Sequence, residues 1–342
     1  MSDGMSLPEA AFMGLVQGLT EFLPISSSAH IRILGDLVGQ GEPGAAFTAM
    51  IQIGTELAVL LYFRRDIVRI VVAWARALAG AYGHGWRARV GLAAGPNLGH
   101  PAVGPDATTA DLVDTAPARG SGTGPGRAGT SHDALMGWFI IVGSIPIVVL
   151  GVLFKDSIES TLRNLWITVA MLSVFALLLG WADKVGAQRR TVDDLTVRHA
   201  LFFGLWQALA LVPGVSRSGG TITGGRLMGY TREAAARYSF LLAMPAVFGA
   251  GLLEMVSSLG KFGTCETVSG AATYSPSVAA TLVATAISFV VGYVVIIGFL
   301  KIVSTYSYKP FVYYRLALAV VVALLLLTGT LHATPPTSAC SG

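Results

Sequence analysis

The sequence predicts an all-α polytopic membrane protein, with six transmembrane helices and two re-entrant helix–loop–helix hairpins in an inverted-topology repeat. Three observations lead there. Of 342 residues, 53% are hydrophobic and only 12% charged, with a mean hydropathy of +0.66; a soluble domain carries about 25% charged residues. Six apolar runs, 46–63, 136–154, 164–182, 237–258, 278–302 and 311–332, each approach the ~20 residues that a bilayer requires. Two more apolar segments, 6–38 and 200–229, are each broken midway by proline, glycine and hydroxyl residues.

Taken in order, the first hairpin (6–38) breaks at Pro24, followed by Ser26, Ser27, Ser28 and His30. Proline removes a helix donor, and broken backbone is tolerated in a membrane only where protein or a water-filled cavity surrounds it. The span 46–63 follows, then a Gly-, Pro-, Ala- and Thr-rich stretch over about 83–133 that reads as a flexible cytoplasmic insertion. Spans 136–154 and 164–182 complete a first repeat over 1–182. The second repeat, 183–335, opens with hairpin 200–229, broken at Pro213-Gly214 and followed by Ser216, Arg217, Ser218 and Thr221. Three spans and a short tail, 336–342, end the chain.

The hairpins are related. Gly14, Leu15, Gln17, Leu19, Ser26 and Ser28 recur as Gly204, Leu205, Gln207, Leu209, Ser216 and Ser218, an offset of 190 residues (204 minus 14). Three spans separate the two hairpins, so the second enters from the opposite face. Basic residues agree: eight arginines in 64–135, four basic residues in 183–199, and Arg226, Arg232, Arg237, Lys301, Lys309 and Arg315 lie on one side. Lys155, Arg163 and Lys261 lie on the other, with Arg32 in the first hairpin. The positive-inside rule places both termini outside. A net charge of +4 calls for no nucleic-acid partner; the surroundings are membrane lipids.

Polar groups inside a bilayer are costly and need a reason. Gln17 and Glu21 share a helix face and lead into the serine cluster and His30. This set suits hydrolysis: a hydroxyl activated by a base, a histidine to move protons, and a carboxylate to orient it or hold a cation. The second set, Gly214, Ser216, Arg217, Ser218, Gly219, Gly220 and Thr221, suits a phosphate. It offers a permanent cation, hydroxyl donors and exposed N–H groups at a helix start. Ser216 serves equally well as an N-cap, but capping does not call for a membrane-buried arginine. Glu56 and Glu254 sit in spans without a clustered motif and read as structural.

The stretch Gly18-Leu-Thr-Glu21-Phe-Leu-Pro24-Ile-Ser-Ser-Ser28-Ala-His30 resembles the first signature of the undecaprenyl-diphosphate phosphatase family, the bacitracin-resistance type. Pro213-Gly-Val-Ser216-Arg217-Ser218-Gly-Gly-Thr221 resembles the second. The resemblance runs from residue 1 to about 335, omitting the insertion. It implies a multi-pass enzyme of the bacterial plasma membrane, its site open to the periplasm, that removes one phosphate from undecaprenyl diphosphate. It implies catalytic roles for Glu21, Ser27, His30 and Arg217, and contacts to substrate from Gln17, Ser26, Ser28, Gly214, Ser216, Ser218, Gly219 and Thr221. It also implies a divalent cation, Mg2+ or Ca2+, held in part by Glu21, and leaves a homodimer open. Many relatives carry Glu at the position of Gln17 and Gly at that of Ala29, and the insertion is atypical. On this reading His30, positioned with Glu21, activates Ser27 or a water. A secondary transporter or lipid flippase shares the architecture, but has no need of a serine, histidine and carboxylate beside a phosphate clamp.

Overall fold

A computed structural model describes residues 5–37, 44–80, 128–159, 161–257, 265–268, 271–274 and 276–334. The first hairpin is α1 (Leu7–Thr20) and α2 (Ser27–Leu37), and the second is α8 (Val197–Ala208) and α9 (Arg217–Leu227). Between them lie α3 (Ala45–Tyr62), α4 (Arg64–Leu78), α5 (Ala128–Leu153), the short α6 (Lys155–Glu159) and α7 (Leu165–Val185). After them come α10 (Arg232–Ser257), α11 (Val278–Thr305) and α12 (Lys309–Leu327). The helices α5, α7, α10, α11 and α12 are long and apolar enough to cross a membrane, and α3 with α4 passes the same test jointly. The protein is therefore an all-α polytopic membrane protein, apart from a small antiparallel pairing of β1 (Cys265–Val268) with β2 (Ala271–Tyr274).

The offset seen in the sequence recurs in the backbone. Helices α1 and α8 begin 190 residues apart (197 minus 7), as do α2 and α9 (217 minus 27). Helix α1, at 14 residues, is about 21 Å long and α2, at 11 residues, about 17 Å, so neither half alone crosses a ~30 Å hydrocarbon core. Both first halves rely on a glycine at the same repeat position. A Cβ on Gly14 would lie 2.2 Å from Ala284 O of α11, and one on Gly204 would lie 2.1 Å from Gly143 O of α5. Small residues let membrane helices approach closely where dispersion, and not water release, drives packing. Ala10, Met13 and Val16 then pack on Ala280 and Ala284.

Three parts of the sequence reading need correction. Residues 64–78, read as the start of a loop, form α4. Its Ile70, Ala73 and Ala77 make one buried stripe at helical spacing, and four arginines occupy the rest. This segment belongs to a second compact unit, Arg65–Trp138, in which Ala73 and Ala77 pack on Ala134, and Arg69 Nε meets Asp133 at 3.0 Å. The insertion assigned to 83–133 ends early, because 128–133 already belong to α5. The remainder of the insertion through 127, and the tail 336–342, lie outside the described residues.

The third correction concerns Arg226 and Arg315, counted above as markers of the basic face. Both are fully buried. Arg226 Nε and Arg232 Nε and Nη2 converge on the Asp183 carboxylate at the end of α7, at 3.1, 2.7 and 3.0 Å. Among the described residues, Arg315 of α12 bonds backbone carbonyls only: Pro24 O at 3.1 Å in the first break, and Gly214 O at 2.8 Å and Val215 O at 3.1 Å in the second. Its Nε adds Leu172 O of α7 at 3.2 Å. A broken helix exposes carbonyls that hydrocarbon cannot satisfy, and one guanidinium satisfies those of both breaks.

Arg315→Met should leave these carbonyls buried without a donor, at about 1–3 kcal/mol each. We expect loss of monodisperse protein in detergent. Arg315→Lys, with a point charge in place of a planar fork, should fold with a depressed melting temperature. Size-exclusion chromatography and thermal unfolding check both, and a normal Arg315→Met profile would refute the role.

Candidate active site

The two breaks are built alike. Ser26 and Ser216 are both non-glycine residues in the left-handed region, with φ of 73° and 70°. In each break that serine's Oγ lies 3.2 Å from the hydroxyl two residues on, Ser28 or Ser218. The turn lets a new helix start at once, so Ser27 and Arg217 occupy the same place, the first residue of α2 and of α9. Ser218 Oγ donates to Leu23 O at 3.0 Å, tying the second break to the first.

Glu21, between α1 and its break, is where the halves meet. Its Oε2 accepts from Ser27 Oγ at 2.6 Å and Gln17 Nε2 at 2.7 Å. Its Oε1 accepts from Arg217 Nη2 at 2.5 Å. The same Nη2 donates to Glu56 Oε1 at 2.7 Å. Arg217 Nη1 and Glu56 Oε2 are buried with no hydrogen-bond partner among the described residues. Arg217 and Glu56 line a small cavity with Phe22, Ser218, Ser239 and Phe240.

The histidine is placed otherwise than the sequence suggested. His30 bonds Ser26 O through Nδ1 at 2.7 Å and the Tyr314 hydroxyl through Nε2 at 2.7 Å, and Glu21 goes to Ser27 directly. A carbonyl only accepts, so Nδ1 carries the proton, and in the neutral ring Nε2 accepts from Tyr314. The ring thereby braces the strained Ser26 turn. The hydroxyls also divide by task. Ser27 is half-buried and Ser28 exposed at the mouth of the break. Ser216 caps α9, accepting from Gly219 N at 3.1 Å. Thr221 bonds Arg217 O at 2.8 Å and the Ser239 hydroxyl, so its oxygen serves the helix. Gly214 has φ +94°, and a Cβ on Gly219 would lie 2.8 Å from Arg315 Nη1.

Glu56, read above as structural, is a member of the cluster, as are Tyr314 and Ser239 at its edges. One signal pointed to Glu56: an ionisable residue inside an apolar span is functional by default. Nothing local in the sequence pointed to Tyr314.

The fold and site together define a membrane-embedded protein with one buried cluster of serine, two carboxylates and arginine, assembled from two broken helices. The family described as Bacitracin resistance protein BacA matches residues 10–321, and the chain belongs to it. Among its relatives is an undecaprenyl-diphosphatase of Bifidobacterium adolescentis, 54% identical over 96% of this chain and 98% of that one. Another, from Pseudarthrobacter chlorophenolicus, is 50% identical over 95% and 99% respectively. Both carry the name of a phosphatase.

The matched turns give a stability prediction. A non-glycine residue in the left-handed region costs about 1–2 kcal/mol, so Ser26→Gly should raise the melting temperature. Ser216→Gly should gain less, because it also loses its cap at a few tenths of a kcal/mol. Thermal unfolding in detergent measures both, and a fall for Ser26→Gly would contradict the assignment of strain.

Proposed function

We propose that the protein hydrolyses undecaprenyl diphosphate to undecaprenyl phosphate and inorganic phosphate, recycling the lipid carrier for cell-wall synthesis and conferring resistance to bacitracin. Family membership and the names of its relatives support the substrate. The observation that carries the chemistry is Glu21 holding Ser27 through one oxygen and Arg217 through the other.

The roles follow from that geometry. The diphosphate sits at the starts of α2 and α9, whose N-terminal ends favour an anion. The unpartnered Nη1 of Arg217 takes its terminal oxygens and stabilises charge as the phosphoryl group transfers. Ser27 Oγ attacks the terminal phosphorus in line while its proton passes to Glu21 Oε2. The bond to the bridging oxygen breaks, that oxygen takes the proton from Glu21, and undecaprenyl phosphate leaves. Water then attacks the phosphoseryl phosphorus and gives a proton to Glu21; the Ser27 Oγ–P bond breaks, Oγ takes that proton back, and inorganic phosphate is released. The 2.6 Å bond from Ser27 to Glu21 favours the serine over water as first nucleophile. Gln17 fixes the carboxylate, and His30 holds the turn that presents Ser27.

A divalent cation, Mg2+ or Ca2+, suits the oxygens present beside the serine: the Glu21 carboxylate and the Gln17 amide oxygen. When bound it would neutralise charge on the diphosphate. The distribution of basic residues supports a site open to the periplasm, and it survives the removal of buried Arg226 and Arg315 from the count.

Ser27→Ala should abolish phosphate release from undecaprenyl diphosphate by the purified protein, whereas Ser28→Ala should retain most of it. Acid quenching with substrate labelled in the terminal phosphate should trap label on Ser27. Arg217→Lys should lose about 100-fold or more, since one donor point replaces the fork. Similar mild losses from Ser27→Ala and Ser28→Ala, with no trapped label, would make water the nucleophile.

A further inference from the structure

We propose that Glu56 is a positioning residue that keeps the Glu21 base free for Ser27 by taking half of the Arg217 charge. This rests on the reading of Ser27 as nucleophile given above. An arginine beside a carboxylate settles by preference into a bidentate pair, two parallel N–H bonds to two oxygens. Such a pair between Arg217 and Glu21 would claim Glu21 Oε2, the oxygen that accepts from Ser27. The pairing found is different: one nitrogen, Nη2, is shared between Glu21 Oε1 and Glu56 Oε1, and Nη1 bonds neither carboxylate.

Glu56 comes from the middle of α3, a helix that contributes nothing to either signature stretch, and it is fully buried. Burying a second carboxylate beside the first costs desolvation and like-charge repulsion. That cost is unnecessary for holding an arginine, which Glu21 alone could pair. What the second carboxylate adds is division: each takes one bond from Nη2, so Glu21 turns its other oxygen to the serine. The guanidinium Nη1 is left without a partner among the described residues, available to the phosphoryl oxygens. One fully buried side chain thus sets both the base and the clamp without touching the substrate.

The test compares Glu56→Gln and Glu56→Leu in full-length protein in detergent. Glu56→Gln still accepts a weaker bond from Arg217 and should lower kcat about 10-fold. Glu56→Leu cannot, and should lower it about 100-fold, within the range that general-base assistance supplies. KM should move less than about threefold, since the loss is in the transition state. A second readout is independent of the lipid: the rate at which a small organophosphorus fluoridate labels Ser27. There the Ser27 oxygen forms a bond to phosphorus, fluoride leaves and Glu21 receives the proton. Labelling should slow in the same order as kcat.

Slowed labelling supports the role of Glu56 even where wild-type protein releases no phosphate from the lipid, an outcome that would overturn the substrate reading alone. Equal labelling in wild type and both variants, with melting temperatures unchanged, would overturn the role of Glu56. So would a loss confined to KM, which would make Glu56 part of ground-state binding. Should Glu56→Leu fail to fold, Glu56→Gln decides: wild-type kcat and wild-type labelling overturn the proposal, and a loss in both supports it.

Discussion

The architecture depends on one buried cation that has no acidic partner among the described residues. Arg315 sits in α12, far in sequence from either hairpin, and its guanidinium bonds Pro24 O in one break and Gly214 O and Val215 O in the other. Interrupting a helix in a membrane frees carbonyls that lipid cannot satisfy. Water could meet that demand, but it would also flood a site that works through electrostatics in low dielectric. A side chain with five donors and a permanent charge answers both breaks at once. It also fixes their separation, because both are held by the same atoms. The convergence of Ser27 and Arg217 on Glu21 follows from that fixed separation and from Ser218 Oγ on Leu23 O.

Within that frame, charge is arranged to leave groups available. Two carboxyl groups share one nitrogen of the arginine, yet its Nη1 and one oxygen of Glu56 have no partner among the described residues. Buried polar groups left open in this way are rare, since each costs about 1–3 kcal/mol. The open Nη1 beside the residues that hold the proposed nucleophile is the pattern of a site built for a ligand that brings its own oxygens. The network around Asp183 is the contrast. There Arg226, Arg232 and the Tyr308 amide all bond one carboxylate, and the group is a latch between helix ends.

The sequence disclosed the hairpins because their signal is local. Proline, glycine and hydroxyls interrupt apolar runs, and the 190-residue offset pairs Ser26 with Ser216, the two residues that share a left-handed turn. Glu21, Ser27 and Arg217 were legible as polar groups where polarity is expensive. Glu56 is visible by the same rule but lies apart from any motif. What could not be read was direction. Sequence spacing does not tell that His30 turns to Ser26 O and Tyr314 in place of Glu21, or that Thr221 points back along α9. Arg315 was misassigned for a related reason: near the end of an apolar run, a snorkelling arginine and a buried one look alike.

The repeat explains why one device yields two functions. At equivalent places the first half has Gln17, Glu21 and Ser27, and the second has Gln207, Leu211 and Arg217. The backbone keeps its turn and its helix start in both, so each half delivers one side chain to the centre from the first residue of a helix. Gln17 retains a carboxylate to bind. Gln207 has a leucine where that carboxylate would be, and neither its amide nitrogen nor its oxygen has a partner among the described residues, although it is fully buried. Serine with a base in one half and arginine without one in the other is a division that two identical halves could not achieve. Two serines with two carboxylates would leave the diphosphate no cation, and two arginines would leave it no nucleophile. Divergence at two positions, Glu21 against Leu211 and Ser27 against Arg217, on a turn shared by both halves, supplies both from a single symmetric frame.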